Sequence, residues 1–107
     1  YDAIADHDGA PPPVIDADDF LRRPEAHLRA LCMHLDIAFT ERMLQWRAGR
    51  RDSAGIWAPH WYAAVWRSTS FEPWRERTPA LDDEGLAVAE ACRPAYEQLH
   101  AVRLRVD

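Results

Sequence analysis

The sequence predicts an α/β fold that is mostly helical, with one short strand. Three observations carry that prediction. Apolar residues recur at helical spacing in two long stretches. One compact apolar run, "VID", directly follows a proline tract. No second run of comparable quality exists to pair with it, and a strand is stable only beside others. The 107 residues are therefore expected to form one C-terminal segment, 1–107, of a domain whose main sheet lies upstream.

The elements follow in order. "YDAIADHDG" reads as the last turns of a helix closed by Gly9. "GAPPP" then forces an extended path. The strand is placed at about 13–16 and fits a buried sheet position. Asp16, Asp18 and Asp19 stand at its carboxyl end. There they serve either as a helix cap with solvated neighbours or as ligand groups at a sheet edge. Pro24 opens a helix over about 24–36, in which Leu28, Leu31, Cys32 and Leu35 form an apolar stripe. Glu25 and Arg29 pair on its outside. Thr40 caps a short helix at about 40–46. An arginine- and glycine-containing loop runs from Arg47 to Ile56. Pro59 opens a helix over about 59–68, with Trp57, Trp61 and Val65 on one face. Pro73 and Pro79 hold the next stretch as a loop. A long helix at about 83–103 should bury Leu86, Ala89, Tyr96 and Leu99 and kink at Pro94.

Composition excludes several classes. No apolar run approaches the ~18 residues of a membrane span. The first twenty residues hold six aspartates and no basic region, so no secretory signal is read and a cytoplasmic location is expected. Cys32 and Cys92 form no CxxC pair and no metal spacing, and both are expected as small buried side chains. No metal is expected. His7, His27, His34 and His100 form no HxxxH pair and are read as surface or half-buried residues.

Charge is distributed unevenly. The net charge is −5, yet residues 42–77 hold seven arginines against three acids. The chain has no lysine. Arginine's planar fork suits phosphate and sulfate. A net negative charge and a short basic stretch argue against nucleic acid as partner.

"GRRDSAGIWAPHWY", Gly49 to Tyr62, gathers much of this basic and aromatic character. Two readings fit it. One is a solvated basic loop leading into a core helix. The other is an anion cradle, with Arg50 and Arg51 as donors and Gly55 allowing close backbone approach. His60 could donate to a ligand or fix the loop, and Trp57 and Trp61 could flank a flat ligand or fill a core.

"RRDSAGIWAPH" resembles the cofactor-binding loop of sulfotransferases, R-K-G-x-x-G-x-W-x-x-H. Arg50 and Arg51 fall on its paired basic positions, and Gly55, Trp57 and His60 on its later glycine, tryptophan and histidine. "VIDADDFLRRPEAHLRALCMHLDI" resembles the family's strand, acidic turn and proline-opened helix. The wording "GIWAPHWY" is most similar to bacterial P-loop sulfotransferase-like proteins. Asp52 stands where the family has its first glycine, and Ala58 where a basic residue commonly follows the tryptophan.

The resemblance spans roughly 10–104. It implies the C-terminal part of a P-loop sulfotransferase-like three-layer fold. It implies 3′-phosphoadenosine-5′-phosphosulfate (PAPS) as sulfate donor, with its 3′-phosphate held by Arg50, Arg51, Gly55, Trp57 and His60. It implies sulfuryl transfer to a small acceptor hydroxyl or amine. The family's phosphosulfate loop and catalytic base precede the matched segment. No catalytic residue is therefore expected within these residues, the upstream part of the domain is the expected partner, and the segment alone should not turn over. The rival reading is a non-catalytic helical interaction module on the same scaffold, self-associating through exposed apolar surface.

Overall fold

The computed structural model describes all residues, 1–107. It is mostly helical, with six α-helices, two 3-10 turns and no ladder of strands. Helix α1 spans Asp2–Asp8 and ends at Gly9, whose left-handed φ of 71° lets its N–H reach the Ala5 carbonyl.

The strand expected at 13–16 does not form. Residues 11–16 are extended, but the one backbone bond that ties them to a distant segment is from the Leu104 N–H to the Val14 carbonyl, at 2.8 Å. An extended segment without a flanking strand cannot build a ladder. Asp16 then caps α2, Ala17–Arg22, its Oδ1 accepting from the N–H groups of Asp18 and Asp19. Arg23, held out of helical geometry at φ −145° and ψ 64°, separates α2 from α3, Pro24–His34. The following proline disfavours helical geometry at Arg23, so the break is written into the sequence.

Helix α3 stops at His34 rather than 36. Asp36 adopts a left-handed φ of 53°. The Ile37 N–H returns to the Cys32 carbonyl at 2.9 Å and the Asp36 N–H to Met33 at 3.4 Å, the paired bonds of a Schellman ending. Aspartate tolerates this conformation better than most residues, which is why no glycine announces the stop.

The helix expected at 40–46 is reduced to one 3-10 turn, Glu41–Met43, capped by Thr40. The backbone beyond it is claimed by another segment. Gln45 bridges Ser70, and the Trp46 N–H donates to the Thr69 carbonyl at 2.9 Å. A second 3-10 turn spans Asp52–Ala54. The helix expected at 59–68 is two short ones, α4 (Ala58–Trp61) and α5 (Ala63–Arg67), separated at Tyr62. The final helix, α6, spans Asp83–Ala101 and is capped by Asp82, which accepts from the Gly85 N–H at 2.8 Å. It passes through Pro94 without interruption. Proline has no N–H, so the Glu90 carbonyl lacks its usual intrahelical donor.

Packing is sparse. Only His27, Cys32 and Ala58 are buried. Around them sits a half-buried aromatic group. Phe20 meets Phe71 edge-on at 4.9 Å, Phe71 meets Trp46 at 5.1 Å, and the Arg22 guanidinium lies 3.8 Å from the Trp74 ring centre. The Cys32 thiol approaches the Met43 sulfur at 3.7 Å.

The expected burial of α6 is not observed. Leu86, Tyr96 and Leu99 are all exposed, and so is Cys92. Trp57 and Trp61 are likewise 71% and 75% exposed. A compact domain of this mass would expose roughly 6,100 Å² and have a radius of gyration of about 13 Å. This chain exposes 9049 Å² and measures 16.8 Å. Leu86, Tyr96 and Leu99 do lie on one helix, but they stay exposed, and Trp57, Trp61 and Val65 fall on a cap and two separate helices rather than on one face.

Three contacts fasten the end of α6 to the segment that would have been the strand. Arg103 Nε donates to Asp19 Oδ2 at 2.7 Å, Tyr96 Oη donates to Asp16 Oδ2 at 3.1 Å, and Leu104 bonds Val14 through the backbone.

Candidate functional site

The basic loop is built on a pinned base. The Trp46 N–H bonds Thr69, the Gly49 N–H bonds the Trp66 carbonyl at 2.7 Å, and Trp46 Nε1 donates to Ser68 Oγ at 3.0 Å. These bonds hold residues 46–49 against the end of α5. Above them lies a cavity of about 260 Å³. Trp46, Tyr62, Val65 and Trp66 give it aromatic and apolar walls, and Arg47 and Arg51 give it charge. The helix break at Tyr62 leaves Tyr62, Val65 and Trp66 on this one wall.

The electrostatics of the loop are one-sided. None of the five ion pairs in the structure involves Arg47, Arg50 or Arg51. Asp52, adjacent in sequence, neutralises none of them. Arg51 Nη2 makes one long contact of 3.4 Å to the Arg47 carbonyl. The Arg50 guanidinium lies 5.6 Å from the Trp66 ring centre, within cation–π range. Trp66 Nε1 is buried with no hydrogen-bond partner. Guanidinium and indole N–H groups only donate. This donor-rich set beside aromatic walls suits an oxyanion attached to a flat organic group.

The five residues singled out from the sequence divide between two places. Arg51 lines the cavity, and Arg50 lies against its Trp66 wall. Gly55, Trp57 and His60 do not line it. Gly55 closes the 3-10 turn at φ 86° and ψ 171°, a conformation essentially reserved for glycine. A Cβ there would meet nothing within 4 Å, so the constraint is the backbone angle and the approach to Gly55 is open. Trp57 and His60 sit at the exposed start of α4, their rings 6.4 Å apart and tilted by 55°.

Sequence reasoning missed Trp46, Arg47, Tyr62 and Trp66 as wall residues. Trp46 and Trp66 are brought together by the Gln45–Ser70 bridge. Pairing across more than twenty residues leaves no local spacing to read.

A family profile described as a sulfotransferase domain matches residues 3–103, nearly the whole chain. The chain belongs to the sulfotransferase domain family. Two curated relatives from Arabidopsis thaliana are also similar to it. "Branched-chain-amino-acid aminotransferase-like protein 2" is 41% identical over 91 residues, covering 85% of this chain and 16% of that protein. "Branched-chain-amino-acid aminotransferase-like protein 1" is 52% identical over 63 residues, covering 59% of this chain and 11% of that protein. This sulfotransferase-like chain thus spans under a fifth of the length of either relative. No solved structure matches it. No group of three or more His, Cys, Asp or Glu side chains is arranged to hold a metal ion, and no helix is long and apolar enough to cross a membrane.

Proposed function

We propose that this chain supplies the 3′-phosphate side of a PAPS-binding site in a sulfotransferase. The observation that carries this reading is the trio Arg47, Arg50 and Arg51. All three lack carboxylate partners and are gathered at one cavity with an unpartnered indole N–H. The residues fit such a group. Arg50 and Arg51 would hold the 3′-phosphate by charge-assisted bonds, and Trp46, Tyr62 and Trp66 would shield the nucleoside from water. Gly55 would leave the backbone approachable, and Trp57 and His60 would order the turn into α4. The bound donor supplies the sulfuryl group for transfer to an acceptor hydroxyl or amine. The arginines' part is electrostatic: they hold the nucleotide in place and balance its charge as it leaves. The transfer itself calls for residues outside this segment, and the chain alone is proposed not to turn over.

Calorimetric titration with adenosine 3′,5′-bisphosphate tests the reading. Binding should weaken about ten- to a hundred-fold in Arg51→Ala and in Arg50→Ala, the loss expected for one charge-assisted contact. It should also fall steeply with added salt. Absence of binding, or undiminished wild-type affinity in both variants, would refute the proposal.

A second reading is favoured by one observation, the exposure of Trp57, Trp61, Leu86 and Tyr96. On that reading the chain is a non-catalytic helical module that self-associates through these faces. Sedimentation would then show concentration-dependent association that Trp61→Ser weakens, with no response to the bisphosphate.

A further inference from the structure

A second basic cavity lies away from the loop, where α2 and α3 meet the chain after α6. It measures about 230 Å³ and is lined by Asp19, Arg22, Arg23, His27, Arg103, Arg105 and Val106. Its walls come from sequence segments some eighty residues apart, clasped by the 2.7 Å Arg103–Asp19 pair. That pair occupies the cavity's one carboxylate. Arg22, Arg23 and Arg105 take part in no ion pair. Arg22 is steadied over Trp74. The site therefore carries an excess of three positive charges.

His27 supplies the independent observation. It is only 2% exposed, it stands in the wall of this cavity, and its Nε2 has no hydrogen-bond partner. Its Nδ1 lies 3.0 Å from the Arg23 carbonyl. A carbonyl only accepts, so Nδ1 carries a proton, and an imidazole protonated there alone has its lone pair at Nε2. An unsatisfied buried polar atom is costly and calls for a partner.

We propose that this cavity is a hydrogen-phosphate site, in which the guanidinium groups of Arg22, Arg23 and Arg105 hold the anion and its P–OH donates to His27 Nε2. The chemistry selects the ligand. Hydrogen phosphate offers acceptor oxygens to the arginines and one donor to the imidazole. Sulfate offers acceptors alone. A phosphate monoester has lost its second proton by pH 8 and also offers acceptors alone. The site is independent of the arginine loop, and its residues belong to a different part of the fold.

The test is calorimetric titration of the full chain at pH 8 with inorganic phosphate, sulfate and phenyl phosphate, each at ionic strength matched with chloride. Phosphate should bind more tightly than the other two. Arg105→Ala and Arg23→Ala should each weaken it about ten-fold or more, while Arg75→Ala, exposed and outside both cavities, leaves it unchanged. Arg105 is exposed and bonds nothing else, so its variant should keep wild-type circular dichroism. The proposal is overturned if phosphate shows no heat beyond the chloride control or if sulfate or the monoester binds as tightly. Unchanged affinity in both Arg105→Ala and Arg23→Ala overturns it too, as does an equal loss of binding in Arg75→Ala.

Discussion

Replacing Arg103 with alanine should loosen the end of α6 from the α2 segment. The guanidinium makes two short bonds, Nε to Asp19 Oδ2 and Nη1 to the His100 carbonyl, both at 2.7 Å. Its side chain is 16% exposed and that of Asp19 is 36% exposed. A fully exposed pair contributes about 0.2–1 kcal/mol, and a hydrogen bond to a charged group out of water about 1.5–3 kcal/mol. This half-sheltered clasp belongs between them, at about 1–2 kcal/mol after discounting for solvent screening. The bond from Arg103 holds the Asp19 carboxyl below the usual carboxylate range. A carboxylate whose folded pKa lies below its unfolded value stabilises the fold above the unfolded pKa, near 4. That contribution is lost as pH falls from there through the folded value. Urea unfolding followed at 222 nm should thus show a wild-type advantage over Arg103→Ala at pH 7 that shrinks below about pH 4. Asp19→Asn should remove the same pH-dependent part. Equal stabilities at pH 7, or a difference that persists undiminished at pH 2, would refute the reasoning.

Other consequences are as direct. Gly55→Ala forces a side chain into a φ of 86° and should cost about 1–2 kcal/mol in urea unfolding, although the space around it is open. Asp52→Asn removes the one acidic charge between the arginine pair and Gly55, and should tighten bisphosphate binding about two- to five-fold by calorimetry, the size of one screened repulsion. Cys92 is exposed and Cys32 buried, so a thiol reagent should label Cys92 rapidly in the folded chain and Cys32 only after unfolding.

Much of the local structure was legible in the residues. Gly9 as a helix stop, an aspartate cap within the cluster Asp16, Asp18 and Asp19, Pro24 as a helix start and the Glu25–Arg29 pair all arise within a few residues of one another. Each depends on short-range geometry, which a single sequence displays. The order of the two motifs also placed the chain in its family. Legibility failed where distant segments compete for one stretch. Residues 40–46 read as helix, yet Gln45 and Trp46 give their backbone to residues 69 and 70. Asp36 ended α3 in a left-handed turn that its side chain permits but does not announce.

The sequence by itself determined the first helix, the proline-opened helix α3 and the long helix α6, together with the arginine cluster and the apolar spacing, because periodicity and charge are properties of neighbours along the chain. Only the tertiary structure decided which arginines share a cavity with Trp46 and Trp66, and that His27 is buried with an idle nitrogen among Arg22, Arg23 and Arg105. It also decided that the stripe on α6 stays uncovered. The physical reason is common to all three. Burial and charge pairing depend on what lies across space, and a pattern along one helix shows which face is apolar but not what comes to meet it.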